Sequence, residues 1–212
     1  KANQELFELS TKYNIPVVTT LMGRGAFPDG NELCIGMPGM HGNYTATTSI
    51  QNSDLLIALG VRFDDRVTAN PKFFAQKAKV IHADIDPAEI GKVREPEVPI
   101  VGDAKSVIKG LIETLGDTEV DTKDWLKEIK EMKKSYPLSY NQEEKGPLKV
   151  PYVLEELQKM SEEDSIVVSG VGQHQMWISL HWKFTSPNTW LNSGGLGTMG
   201  YSLPAAVGAK AA

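Results

Sequence analysis

The sequence predicts an α/β fold of parallel strands joined by crossover helices. Three observations predict it. Leu55–Leu59 (LLIAL) and residues 79–85 (KVIHADI) are continuous strand-like runs. Helical segments alternate with strands over the first 115 residues. A second alternation of helix and strand begins at Tyr152.

The elements follow in order. Residues 2–13 read as a helix with Leu6, Phe7 and Leu9 apolar and Asn3 as the one available cap. Residues 16–20 (PVVTT) form a short β-branched run, and Tyr44–Asn52 is helical with Asn43 placed to cap it. Leu55–Leu59 reads as a strand buried on both faces; residues 79–85 and 99–101 give two more strands. Ala104–Leu115 carries Val107, Ile108, Leu111, Ile112 and Leu115 at helical spacing, and Gly116 ends it. Residues 117–150 read as a linker around one charged helix, capped by Asp121 or Thr122. Trp125, Ile129, Met132 and Tyr136 form its apolar stripe and Pro137 stops it. Then come a helix over 152–160, a strand at 165–169, a helix over 174–180, a strand at 189–191, a glycine turn and a last helix. The expected organisation is a first α/β unit over 1–116, the linker over 117–150, and a second α/β unit from 151 to 212.

A chain of 212 residues has room for one domain and part of another. Its net charge of −5 argues against a general nucleic-acid binder, which needs a basic footprint. Cys34 is the single cysteine, so no internal disulfide forms, and a reducing, cytoplasmic compartment is expected. No run approaches the roughly 20 apolar residues of a membrane span. Residues 165–212 hold two charged side chains, Lys183 and Lys210, yet three of the four tryptophans and seven glycines. A stretch this uncharged is expected to be covered by a ligand, more chain or another subunit. Both ends read as cut, which suggests a piece of a longer protein.

Several motifs could carry chemistry. Residues 195–200 (GLGTMG) match G-x-G-x-x-G between a strand and a helix, which is either a dinucleotide-phosphate cradle or simply a tight turn. Arg62, Asp64, Asp65 and Arg66 follow a strand end, where parallel sheets bind ligands; the arginines either clamp an anion or pair with the aspartates. The loop holding Gly36, Gly39, His41 and Gly42 lets backbone approach a ligand, and His41 is either a contact or a solvated side chain. Asp84 and Asp86 either accept from a ribose or cap a turn, while His82 reads as core. His174 and His181, seven apart, are weak evidence for zinc, with no acid or cysteine nearby, so no metal ligands are assigned.

Taken together, TLMGRGAFPDG, GMPGMHGNYTA, LGVRFDDRVT, HADIDPAEIGK, PIVGDA, SGVGQHQMW and SGGLGTMGYSLPAAVGA resemble the biosynthetic acetolactate (acetohydroxyacid) synthase catalytic subunit, a thiamine diphosphate (ThDP) enzyme. The likeness spans nearly the whole chain in order. It implies a Rossmann-like central domain of the DHS-like FAD/NAD-binding type, followed by an incomplete α/β ThDP-binding domain. It also implies condensation of pyruvate with a second 2-keto acid, pyruvate or 2-ketobutyrate, with loss of CO2, in branched-chain amino acid biosynthesis.

By position, the resemblance implies FAD contacts at Thr20 and Leu21; at Gly39, His41 and Gly42; at Gly60, Arg62 and Asp64; at Asp84 and Ile85; and at Gly102, Asp103 and Ala104. Arg66 would hold the carboxylate of the second keto acid. Val171, Gly172, Gln173 and His174 would surround the ThDP diphosphate, with Gly197 and Met199 at its aminopyrimidine. FAD would be structural, since the reaction has no net redox change. The family's cofactor-activating glutamate and its Mg²⁺-holding G-D-G…N motif match nothing in this sequence. The isolated chain is therefore expected to be inactive, with ThDP, Mg²⁺ and FAD serving the parent enzyme. Expected partners are the 2-keto acids, the rest of the same protein, a second copy in a homodimer or larger assembly, and a regulatory subunit, with no nucleic acid and no membrane. Two other readings stand beside this one: a dinucleotide-binding oxidoreductase domain and a non-catalytic truncated module.

Overall fold

A computed structural model describes residues 2–212. Helix α1 (Asn3–Tyr13) leads into β1 (Val17–Val18), which pairs in parallel with β2 (Cys34–Gly36). Helix α2 (Tyr44–Asn52) precedes β3 (Leu55–Leu59), short α3 (Asp65–Thr68), β4 (Lys79–Asp84) and β5 (Val98–Val101). Strands β3, β4 and β5 form a parallel sheet in that order, with Leu59 opposite Ala83 and Asp84 opposite Val101. Helices α4 (Ala104–Leu115), α5 (Lys123–Ser135) and α6 (Val150–Lys159) follow. Then β6 (Val167–Ser169), α7 (Gln173–His181), β7 (Trp190–Asn192) and α8 (Ser202–Ala211) complete the chain. β6 and β7 are again parallel, with Ser169 opposite Asn192. Every strand pairing is parallel, as the alternation of elements predicts.

Each layer buries the stripe its sequence carries. Ile108 of α4, 1% exposed, packs with Leu9 and Tyr13 of α1, and Leu59, Leu111 and Leu115 surround them. Burying one such side chain contributes about 1.5–3 kcal/mol. Tyr13 completes this contact by donating from its hydroxyl to the carbonyls of Ile112 and Gly116 at 3.2 and 2.8 Å. On α5 the predicted stripe is real: Ile129 packs with Ile35 and Ala46, flanked by Trp125 and Met132, and Tyr136 lies against Tyr44. Lys133 of the same helix donates to the carbonyls of Glu32 and Cys34 at 2.9 and 2.7 Å, which ties α5 to β2.

Two expectations need correction, and one open choice is decided. Leu55–Leu59 is not buried on both faces: Leu55 is exposed, Leu56, Ile57 and Leu59 are half-buried, and only Ala58 is buried. The doubly covered strand is β4, where Val80, His82 and Ala83 are buried. Asn3 does not cap α1; it lies inside the helix and donates to the Ala26 carbonyl at 2.8 Å. Thr122 precedes α5 without capping it, since its hydroxyl donates to the Asn14 carbonyl, and the first amide goes to Asp121 instead. No helix is long and apolar enough to cross a membrane among the described residues.

Candidate cofactor-binding edge

Ligands of open parallel sheets collect beyond the carboxyl ends of the strands. Here that edge gathers the predicted residues in two groups. Gly60 follows β3 and donates its N–H to the Ala83 carbonyl at 2.8 Å; Gly102 follows β5 and donates to the Asp84 carbonyl at 2.9 Å. These bonds align Gly60, Asp84 and Gly102 across three adjacent strands. Asp84 is buried, and its carboxylate accepts the Asp86 N–H at 2.9 Å, while the neighbouring Ile85 is exposed. Thr20 and Leu21 leave β1 beside β2, whose exit loop holds Gly39, His41 and Gly42. Met40 of that loop donates to the Arg66 carbonyl at 2.7 Å, joining the β2 loop to the β3 loop.

Glycine is required at Gly39. Its φ is +97°, and a Cβ there would collide with the Arg66 carbonyl and the Val67 backbone. His82, buried as expected, makes a 2.8 Å contact from Nε2 to the Val61 carbonyl and packs edge-on against Phe63.

In the charged loop the arginines lie beside the aspartates. Arg66 pairs with Asp65 at 2.8 Å and Arg62 lies 3.8 Å from Asp64, all four half to mostly exposed. Asp64 also caps α3 by accepting the Arg66 N–H. Such exposed pairs contribute little, so either guanidinium can exchange its aspartate for a ligand at small cost. Two helix N-termini on this side are already occupied: Asn43 accepts the Ala46 N–H of α2, and Asp103 accepts the Lys105 and Ser106 N–H groups of α4, whose first residue is Ala104. A phosphate would have to displace those caps.

The second group differs. Val171, Gly172, Gln173 and His174 follow β6; Gly197 and Met199 follow β7, on the same edge because β6 and β7 are parallel neighbours. Neither α7 nor α8 has a side-chain cap. Gly172, Gly197 and Gly200 have φ of +153°, +65° and +79°, and an added Cβ at Gly195, Gly197 or Gly200 would meet nothing within 4 Å. The result is an open, glycine-rich surface with two helix N-termini that carry no side-chain cap, beside the exposed apolar side chains of Leu196 and Met199. Backbone amides suit a diphosphate and the apolar side chains suit a heteroaromatic ring. These residues fit ThDP.

The family comparison agrees with that chemistry. Residues 1–111 match the model described as "Thiamine pyrophosphate enzyme, central domain", and residues 170–212 match "Thiamine pyrophosphate enzyme, C-terminal TPP binding domain". The chain belongs to the thiamine pyrophosphate enzyme family. The Gly195-to-Gly200 run therefore lies inside a segment matched to a thiamine diphosphate-binding domain rather than a dinucleotide-binding one. The chain is 53% identical over its whole length to an acetolactate synthase of Mycobacterium bovis, and spans 35% of that protein. It is 53% identical over 99% of its length to the acetolactate synthase large subunit of Corynebacterium glutamicum, spanning 34% of it. A probable acetolactate synthase large subunit of Methanocaldococcus jannaschii is 45% identical over the whole chain, which spans 37% of it. The chain thus covers about a third of the curated relatives it matches.

Magnesium is a different case from ThDP. Among the described residues, no group of three or more His, Cys, Asp and Glu is placed to hold a metal ion. His174 and His181 stand at opposite ends of α7; His181 is buried between Tyr140 and Trp177, and that burial lowers its pKa.

Sequence reasoning missed two features here. Gln175 donates to Asn192 Oδ1 at 3.0 Å inside the second unit, locking α7 to β7. Arg24 and Asp29 form a buried ion pair, with Arg24 Nη1 on Asp29 Oδ1 at 2.7 Å. An Arg and an Asp in a Gly- and Pro-containing loop look like solvated surface residues, and no local pattern marks them as a pair.

Proposed function

We propose that this chain is the junction between the central and thiamine-binding domains of an acetolactate synthase catalytic subunit. The whole protein would join pyruvate to a second 2-keto acid, pyruvate or 2-ketobutyrate, releasing CO2. One carbon–carbon bond breaks and one forms, so electrons balance without an external oxidant, and FAD has a structural role. The observation that carries the reading is the pair of uncapped helix N-termini, α7 and α8, opening behind glycines with positive φ in the thiamine-matched segment. The likeness to proteins named acetolactate synthase over the full chain supports the substrate class.

When bound, ThDP supplies an electron sink for the carbon left by decarboxylation. The chain's residues do the rest in this reading. The backbone at Val171 and Gly172 and the α7 terminus, with Gln173 and His174, cradle the diphosphate. The Gly197 carbonyl accepts from the aminopyrimidine amino group, and Met199 supports the ring. Arg66, with a freely exchangeable partner in Asp65, holds the carboxylate of the second keto acid in a bidentate fork. Thr20, Leu21, Gly39, His41, Gly42, Gly60, Arg62, Asp64, Asp84, Ile85 and residues 102–104 line the flavin. Mg²⁺ ligands come from residues outside this chain, and so does the activating acid, which leaves the isolated segment inactive. Leu196, Met199, Leu203 and Val207 are 94%, 82%, 75% and 62% exposed. They fit cover by the remaining domains or by a second subunit of a cytoplasmic oligomer, to which a regulatory subunit can add.

The test is acetolactate formation from pyruvate by the full-length protein with ThDP, Mg²⁺ and FAD. Product that disappears when ThDP is withheld supports the reading. A protein that takes up ThDP without forming acetolactate, or that reduces a nicotinamide cofactor instead, overturns it.

A further inference from the structure

The buried Arg24–Asp29 pair has no part in the reading above, yet it lies where the two units meet. The arginine side chain is 4% exposed and the aspartate 10%. Arg24 also donates to Thr19 Oγ1 at 3.1 Å and lies over the Phe184 ring, 5.5 Å from its centroid. The Asp29 carboxylate accepts the Phe184 N–H at 2.8 Å, and the Asp29 N–H donates to the Phe184 carbonyl at 3.0 Å. Phe184 packs on Trp190, ring centroids 5.3 Å apart, and the Trp190 indole N–H donates to the Leu21 carbonyl at 3.0 Å.

The thiamine loop begins at Ser193, directly after β7. It has little packing of its own: it is braced internally by Thr198 N–H on Ser193 Oγ at 2.8 Å and Gly197 N–H on the Ser193 carbonyl at 2.9 Å. Its outside support is the 19–29 loop. A Cβ on Gly194 would stand 2.6 Å from Met22 Sδ and 3.0 Å from Leu21 Cδ2, so the two loops touch backbone to side chain. A buried ion pair is weak evidence for stability, since desolvation offsets the attraction. What this one does is set geometry: a bidentate fork fixes the loop, and the loop abuts Gly194.

We infer that the Arg24–Asp29 pair is a positioning element for the thiamine loop, clamping residues 19–29 onto Phe184 and Trp190 and so placing residues 194–199. The inference rests on the assignment of residues 170–212 to ThDP. Neither Arg24 nor Asp29 touches the cofactor; they act through Leu21, Met22 and Trp190.

The experiment measures the ThDP dissociation constant of the full-length protein by titration calorimetry, with melting temperature recorded for each variant. Trp190→Phe keeps the ring stacked on Phe184 and removes only the bond to Leu21. Asp29→Asn removes the charge that holds Arg24. Lys159→Ala, at an exposed surface pair with Glu156 that makes no contact in the clamp, is the control. Because a misplacement of about 1 Å can cost about a hundredfold in a preorganised site, Trp190→Phe is expected to weaken ThDP about fivefold and Asp29→Asn about tenfold or more, with Lys159→Ala unchanged. The same two variants should raise the KM for ThDP in the assay more than they lower kcat. A folded Asp29→Asn protein that binds ThDP with the wild-type constant overturns the inference, and so does a folded Trp190→Phe protein that does the same. A wild-type protein that takes up no ThDP overturns the thiamine assignment itself, and the inference falls with it.

Discussion

The indole N–H of Trp190 donates to the carbonyl of Leu21 at 3.0 Å, joining residues 169 positions apart. Leu21 follows the first strand and Trp190 opens the last, so one bond ties the exit of the first unit's sheet to the strand that leads into the thiamine loop. The predictions below probe this edge and the packing beneath it, all in the full-length protein.

Gly39 tests the close approach of two loops. Gly39→Ala meets both a positive φ and a backbone collision with Arg66. Strain alone costs about 1–2 kcal/mol, and the clash adds to it. Chemical denaturation should show a loss of about 2 kcal/mol or more. Gly30→Ala, with open space around it and no positive φ, should stay within about 0.5 kcal/mol of wild type.

Cys34 tests burial. Desolvation, reinforced by the Asp29 carboxylate, pushes its thiol from 9.0 up to about 11. A thiol reagent at pH 8 should label it only after denaturation. The raised value also carries a pH dependence. Below pH 9 both states are protonated and the stabilisation is complete. From pH 9 to about 11 the unfolded chain loses its proton first, and about 2–3 kcal/mol is withdrawn. Cys34→Ala should flatten that part of the stability profile, and an unchanged slope would refute the assignment.

His181 has the opposite sign. Its buried site disfavours the imidazolium, so its folded pKa lies below the ordinary 6.5. Stability from the neutral ring is present above pH 6.5 and is lost as pH falls through the folded value. His181→Phe should remove that acid limb, read from melting temperatures between pH 7 and pH 5.

Lys133 tests the docking of α5 on β2. Lys133→Met keeps the aliphatic stem and removes two charge-assisted bonds to backbone carbonyls. Bonds of this kind contribute about 1.5–3 kcal/mol, partly offset here because burial already lowers the lysine pKa. A net loss of about 1–2 kcal/mol on denaturation is expected.

Arg66 tests the proposed reaction. The side chain is 67% exposed, so Arg66→Lys should leave the melting temperature unchanged. Loss of the bidentate fork should raise the KM for the second keto acid about tenfold at saturating ThDP. A KM equal to that of wild type would remove Arg66 from the site.

Much of this molecule was legible locally. The α4 and α5 stripes, the Asn43 cap and the strand–glycine–helix turn at residues 192–202 all follow from spacing within one element. The short β2 strand was not, because three residues that include a cysteine and a glycine show no period. Helix α3 was hidden in the same way, since its four residues read equally well as a charged loop.

Apart from β2 and α3, the sequence by itself determined the order of helices and strands, their parallel pairing, and the edge at which glycines and charges collect. Periodicity and turn chemistry act over fewer than about ten residues, so a one-dimensional reading contains them. The tertiary structure alone decided that β4 rather than β3 is the covered strand, that Arg24 and Asp29 leave water together, and that Leu21 supports Trp190. Each of these depends on which distant surface closes over a residue, and burial is a property of the neighbours a side chain meets, not of the side chain itself.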